Sequence, residues 1–271
     1  MARIACVLAL VGLASSATAQ GPRVEVEELA ENVYLFTYEV HRSLFVATDE
    51  AVLATDPQSP EAAKHFVEEI RKVSAAPIKY LVYSHHHDDH ASGGKAFGDA
   101  VIVAHRAVLG HVTGEILPPA VTFDGNASIY LGGLEVRLIY PGPSETESNV
   151  IVFVPERKVA FMVDSVFVKA LPWRNMSGAD LGKWIAALEE LEKLDFEILA
   201  PGHGPTGRKE HVRTFITYFQ DLLDAVGKRI AAGESLPQIP ATLELPKYRD
   251  WARYDGHFDL NIEGAYRELT K

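Results

Sequence analysis

Ser84-His85-His86-His87-Asp88-Asp89-His90 follows the apolar run Tyr80-Leu81-Val82-Tyr83, and this stretch decides how the rest of the chain is read. Ile78 to Tyr83 has the β-rich composition of a strand, so the histidines begin where a strand ends. In extended chain, residues i and i+2 project to the same side, so His85 and His87 can share one metal ion. Asp89 and His90, where the loop turns into the next element, can supply a second. Neutral imidazole with carboxylate is a typical ligand set for zinc and similar borderline metals. Four histidines in six residues at a strand end outweigh a merely solvated polar loop. His86 projects the opposite way and reads as a packing or supporting residue, and Asp88 as a solvated acid.

On the N-terminal side of this motif the pattern predicts short strands. They cover Val24/Val26, Val33 to Tyr38, Leu44 to Ala47 and Ala51 to Ala54, broken at Glu31-Asn32 and Asp49-Glu50. Ser59-Pro60 gives an N-cap and a proline at the first helical position, and Ala62, Phe66, Ile70 and Val73 recur at helical spacing. Beyond the motif, Val101 to Val103 and residues 121–163 read as strands, with turns at Asp124-Gly125, Gly132-Gly133 and Pro141-Gly142. Asp180 to Leu194 and Lys209 to Ala232 read as amphipathic helices flanking a strand at Phe196 to Ala200. The last segment, with Pro237, Pro240 and Pro246, reads as a wrapping tail. Strands, helices, strands and helices in that order suit two sheets packed face to face with helices outside, in one domain.

The chain has 271 residues, of which 47% are apolar and 23% charged. Its net charge of -11 and the lack of a basic stripe argue against binding a phosphate backbone, so no nucleic-acid partner is expected. The single cysteine, Cys6, excludes a disulfide framework and a cysteine-based zinc site. It lies in residues 1–19, which read as an export signal: Arg3, the apolar run Ile4 to Ala14, then Ala17-Thr18-Ala19 as a cleavage site. Residues 20–271 are then the functional domain, expected to be periplasmic or secreted and without a stable membrane anchor. The oligomeric state is left open.

His85-x-His87-x-Asp89-His90 after a strand resembles the signature of the metallo-β-lactamase superfamily. Three further segments match in order: Asp56 in Ala54-Thr55-Asp56-Pro57, Asp164 in Met162-Val163-Asp164-Ser165, and His203 in Pro201-Gly202-His203-Gly204. The resemblance implies an α/β fold, a four-layer αβ/βα sandwich of two mixed sheets flanked by helices, with metals at the sheet edges. It implies two zinc ions. His85 and His87 would hold the first; Asp89, His90 and His203 the second; Asp164 would bridge them, and Asp56 would orient the metal loop from behind. One departure matters. Aligning Thr146 and Asn149-Val150 with the family pattern puts Glu145 where the third histidine of the first site belongs. Glutamate can ligate zinc; the alternative is a solvated Glu145 and a lost ligand. An anionic ligand makes bound water less acidic and widens the choice of metal toward Mn or Fe, so a slower catalyst is expected.

The resemblance also implies hydrolysis of a small molecule by attack of a metal-bound hydroxide, with Asp89 orienting that hydroxide. β-Lactams are the first expectation, because they act outside the cytoplasm. Lys169 is a candidate partner for a substrate carboxylate, and Trp173 a candidate for the mouth of the cleft. Asp164 in place of the related subclass's cysteine, and His90 in place of its arginine, mark a departure from typical β-lactamases. The alternatives are an exported hydrolase of lactones or other esters, a quinoprotein-associated metallohydrolase, and a metal-binding protein without catalysis. His41, His65, His105, His111, His211 and His257 are expected to be surface or satisfied core residues.

Overall fold

A computed structural model describes residues 21–271; the expected signal at 1–19, with Cys6, lies outside the described residues. The first sheet contains β1 (Val24–Ala30), β2 (Val33–Tyr38), β3 (His41–Ala47), β4 (Val52–Thr55), β5 (Ile78–Tyr83), β6 (Val101–His105) and β7 (Val121–Phe123), in that spatial order. Its first four strands run antiparallel, and β4 to β7 pair in parallel. Helix α1 (Pro60–Val73) makes the crossover from β4 to β5, with the Ser59 hydroxyl accepting from the Ala62 amide at 3.1 Å as the N-cap. The one-turn α2 (Asp88–Ala91) carries the end of the histidine motif. The second sheet contains β8 (Ala127–Leu131), β9 (Leu134–Ile139), β10 (Ile151–Val154), β11 (Val159–Met162) and β12 (Ile198–Pro201), antiparallel except for the β11–β12 pair. Helices α3 (Leu181–Lys193), α4 (Lys209–Ala231) and α5 (Tyr254–Leu269) cover its outer face.

Three apolar cores define four layers. Leu35, Leu44, Val46 and Val82 of the first sheet meet Leu138, Val152 and Phe161 of the second in the central core. The neighbouring residues Phe36, Phe45 and Leu81 point the other way and pack on Phe66 and Ile70 of α1. Ile151, Phe153 and Met162 face Trp184, Phe215, Phe219 and Ile262 on the outer helices. Both faces of the central strands are therefore apolar, as their near-continuous hydrophobic sequence requires. This is the αβ/βα sandwich expected above. The tail is a correction: it does not merely wrap, because residues 254–269 form α5. The three prolines precede that helix, and its asparagine, glycines and charges blur the apolar period. Gly264 is needed inside it, since a Cβ there would lie 2.5 Å from the Asn175 carbonyl oxygen. Asn261 donates to the Arg174 carbonyl and accepts from the Tyr218 hydroxyl, tying α5, α4 and the 172–176 loop together.

Candidate metal centre

Asp56 follows β4 in the left-handed region at φ 38° and is wholly buried. Its Oδ1 accepts the Ser84 amide at 2.8 Å, and the Ser84 carbonyl accepts the Val150 amide at 2.8 Å. Those two bonds fix the point where β5 ends and the histidines begin. The extended reading holds for His85 and His87, whereas Asp89 and His90 belong to α2, which turns them back over the same cleft. Asp164 sits just past β11 at φ 57°, a left-handed conformation that carries a modest strain at non-glycine residues. Asn149 supports both flanking loops: its amide donates to the Val163 carbonyl at 3.1 Å and its Oδ1 accepts from Thr146. Ser144 and Ser165 join those loops through their hydroxyls at 2.8 Å.

Asp164 is the centre of the arrangement. Its Oδ2 lies 3.3 Å from His85 Nε2 and 3.3 Å from His87 Nδ1. Its Oδ1 lies 3.2 Å from His203 Nε2 and 3.8 Å from His90 Nε2. Glu145 Oε1 stands 3.8 Å from His87 Nε2, so Glu145 is not a solvated turn residue. Ligand atoms of His85, His87, Glu145 and Asp164 therefore form one compact group, and those of His90, Asp164 and His203 another. Asp89 Oδ2 lies 3.8 Å from His90 Nε2 and 3.1 Å from His41 Nε2. His41 thus belongs at the cleft, contrary to the expectation of a scattered surface or core histidine. It is the first residue of β3, and nothing local in the sequence marks it.

Backbone and hydroxyl partners hold the outer nitrogens. The Val40 carbonyl accepts from His203 Nδ1 at 2.9 Å, leaving Nε2 to face Asp164. His85 Nδ1 is 2.9 Å from the Ser84 hydroxyl, and Nε2 is again the inward atom. Fixing one ring nitrogen in this way orients a histidine for ligation through the other.

Burial sets the electrostatics. It pulls the rings of His85 and His90 below the usual imidazole range, so both stay neutral, as ligation requires. Burial pushes the Glu145 carboxyl up to about 8 and that of Asp56 to about 8. For Asp164 burial is opposed by His90, His203, His85 and His87, which together hold it well below the usual carboxylate range. For His87 burial is likewise outweighed, by Asp164 and Glu145, which lift it to about 9. Among the described residues, His85 Nε2 and Glu145 Oε2 are buried without a hydrogen bond. Crowded acids with inward lone pairs and neutral imidazoles are costly alone, and a divalent cation would satisfy them. The residues fit the expected metals.

His86 turns away, as its alternation implied. Its ring stacks 3.6 Å from that of His111, and its Nδ1 is 2.7 Å from the Ser148 hydroxyl. His111 Nε2 lies 2.5 Å from Glu147, so these side chains make a separate group at the rim. His111, expected as a surface or satisfied core residue, is half-buried and partnered by His86 and Glu147. His105 is a satisfied core residue, stacked on Tyr140 at 3.8 Å and bonded to the Asp124 carbonyl.

A cavity of about 840 Å³ opens over Asp89, Glu145, Asp164 and His203, with Phe167 and Trp173 among its walls. Trp173 does stand at the mouth. Lys169 is exposed and does not line the cavity; the cations that do are Arg174 and Arg253.

A family model described as the metallo-beta-lactamase superfamily matches residues 41–203, and the chain belongs to that superfamily. A metallo-beta-lactamase from Pontibacter korlensis superposes with a TM-score of 0.63 at 24% identity, covering 73% of this chain and 99% of that one. The chain is 28% identical over 197 residues to the 2,4-dinitroanisole O-demethylase subunit alpha of a Nocardioides strain, covering 67% of this chain and 58% of that protein. It is 23% identical over 285 residues to a linear primary-alkylsulfatase of a Pseudomonas strain, covering 82% and 54%. It is 26% identical over 190 residues to the metallo-beta-lactamase type 2 of Elizabethkingia meningoseptica, covering 64% and 74%. The chain thus spans little more than half the length of the O-demethylase subunit and the alkylsulfatase. These relatives carry different activities within one superfamily.

Proposed function

We propose that the protein is an exported zinc-dependent hydrolase that opens the amide ring of β-lactams, acting on a small molecule and not on nucleic acid. The observation that carries the hydrolase reading is Asp164, whose two oxygens face two separate sets of histidines. On this reading His85, His87, Glu145 and Asp164 hold one ion, and Asp89, His90, His203 and Asp164 hold the other. Zinc suits this set, and the extra carboxylate widens the choice of metal toward Mn or Fe. When bound, such a pair makes water nucleophilic near neutral pH and polarises the oxygen of the scissile group. Asp89, kept ionised by its hydrogen bond to His41 against the effect of burial, stands at the cavity edge to orient the attacking water and take its proton. Export, read from residues 1–19, and the match to a type 2 metallo-beta-lactamase support β-lactams as substrates.

A second reading is hydrolysis of sulfate esters, lactones or other esters, including service to a quinoprotein system. The span of the alkylsulfatase match favours it, at 82% of this chain against 64% for the β-lactamase. The test is a screen of the zinc-loaded protein against a chromogenic cephalosporin, a penicillin, a carbapenem, a lactone and an alkyl sulfate. β-Lactam turnover is the expected result. Turnover of the ester or sulfate alone replaces it with the second reading. Bound metal without turnover of any of them leaves a metal-binding protein.

A further inference from the structure

The cavity holds a cation that the metal chemistry does not use. Arg253 precedes α5, beyond the region matched to the family, and its side chain enters the cavity wall. The guanidinium lies over the Phe167 ring at 4.3 Å from its centroid. Among the described residues, its Nε is buried with no hydrogen-bond partner. The acid whose field reaches it is Asp164, and burial still lowers its pKa. Arg42 shows what a satisfied arginine near this site looks like: it donates to the Gly204 carbonyl at 2.7 Å and the Thr206 hydroxyl at 2.6 Å, pinning the His203 loop.

The fold holds Arg253 there deliberately in the physical sense that several bonds fix it. Ala252 pairs in parallel with Ala170, donating to the Lys169 carbonyl at 2.9 Å and accepting from the Leu171 amide at 3.0 Å. Arg253 itself is left at φ 69°, a left-handed conformation that is strained for a non-glycine residue. A half-buried guanidinium whose Nε has no hydrogen-bond partner among the described residues is costly to keep, whereas an oxyanion would satisfy its fork with charge-assisted hydrogen bonds. Phe167, Trp173 and Met176 line the same cavity and offer an apolar surface beside it.

We propose that Arg253 is the specificity-determining anchor for an oxyanion carried next to an apolar body, a carboxylate or a sulfate monoester, in the substrate of this site. The inference deepens the hydrolase reading, on which it rests, by naming the substrate as an amphiphilic anion rather than a neutral ester or lactone. It places that anchor on the C-terminal tail and not on Lys169.

The test is binding without turnover. Quenching of tryptophan fluorescence, with Trp173 and Trp184 in the cavity wall, is followed as the zinc-loaded full chain is titrated with hexyl sulfate, hexanoate or hexan-1-ol. The wild type should bind the better anion about tenfold or more tighter than the alcohol, the size of one charge-assisted contact. Arg253→Met should erase that preference and leave hexan-1-ol unchanged, and Arg253→Lys should keep part of it. If Arg253→Met does not fold, Arg253→Gln gives the same comparison. Tighter binding of hexanoate assigns a carboxylate, and of hexyl sulfate a sulfate ester. A folded Arg253→Met protein that keeps the preference overturns the proposal, as does a wild type without one. Arg253-dependent anion binding in a protein that cleaves nothing in the hydrolysis screen leaves the anchor standing and removes the hydrolase reading alone.

Discussion

The metal-bearing edge and the cavity wall above it are built on different principles. At the edge, the site residues follow strands: the supporting Asp56 after β4, and the ligands His85 and His87 after β5, Asp164 after β11 and His203 after β12. The wall is made of the 167–176 loop and of Arg253, brought to that loop by the Ala170–Ala252 pairing more than seventy residues away along the chain. The edge needs only correct strand register. The wall needs the whole outer helical layer to dock. Changes at the edge should therefore abolish chemistry at nearly constant stability, and changes in the wall should alter stability and substrate affinity with the metals still bound.

The largest effect is expected at Asp164, which both ligand sets share. Asp164→Asn should lower kcat/KM for the best substrate by about a thousandfold or more and reduce the metal content, since a neutral amide replaces the charge both ions require. Near-normal rates would mean that the two sets do not work as one site. Asp56→Asn comes next. It leaves every ligand in place but weakens the carboxylate that accepts the Ser84 amide. Supporting residues of this kind are typically worth about 10–100-fold in metal affinity. Competition with a chromogenic zinc chelator reads that loss, and unchanged affinity would reduce Asp56 to a strand cap.

Glu145→His tests the departure from the family pattern. A neutral ligand should make bound water more acidic, so turnover and preference for zinc over Mn should both rise. Parallel steady-state kinetics with each metal measure this, and no gain in either would sink the account of Glu145. The smallest effect on chemistry is expected in the wall. Gly264→Ala forces a Cβ against the Asn175 carbonyl, an overpacking that costs about 1–3 kcal/mol. At about 2–4 °C per kcal/mol for a chain of this size, calorimetry should show a lower Tm. Metal content should be unchanged and KM raised a few-fold. A change in metal content would show that edge and wall are not separable.

The same contrast explains what was legible in the sequence. The strands and α1 with its Ser59 cap follow from period and caps, and His85 and His87 from a local motif, whereas Asp56, Asp164 and His203 are what the family resemblance implies. Glu145 was placed by its neighbours Thr146 and Asn149, which do form the supporting loop. What escaped was non-local. His41 reaches Asp89 only because β2 and β3 pair in register with Tyr38 opposite His41. Arg253 reaches the cavity only through α5, whose asparagine and glycines serve contacts with the 172–176 loop and dilute the helical pattern. Lys169 was the natural choice of cation by proximity to Asp164 in sequence, but the backbone at φ 48° leaves it exposed. Its place is taken by a residue from the tail.

The most direct measurement of the central claim is the metal count of the full-length wild type beside Asp164→Asn, by inductively coupled plasma mass spectrometry after dialysis against trace zinc. Two ions per chain in the wild type and fewer than one in the variant is the result the shared carboxylate predicts. One ion or none in the wild type, or two in both proteins, would contradict it.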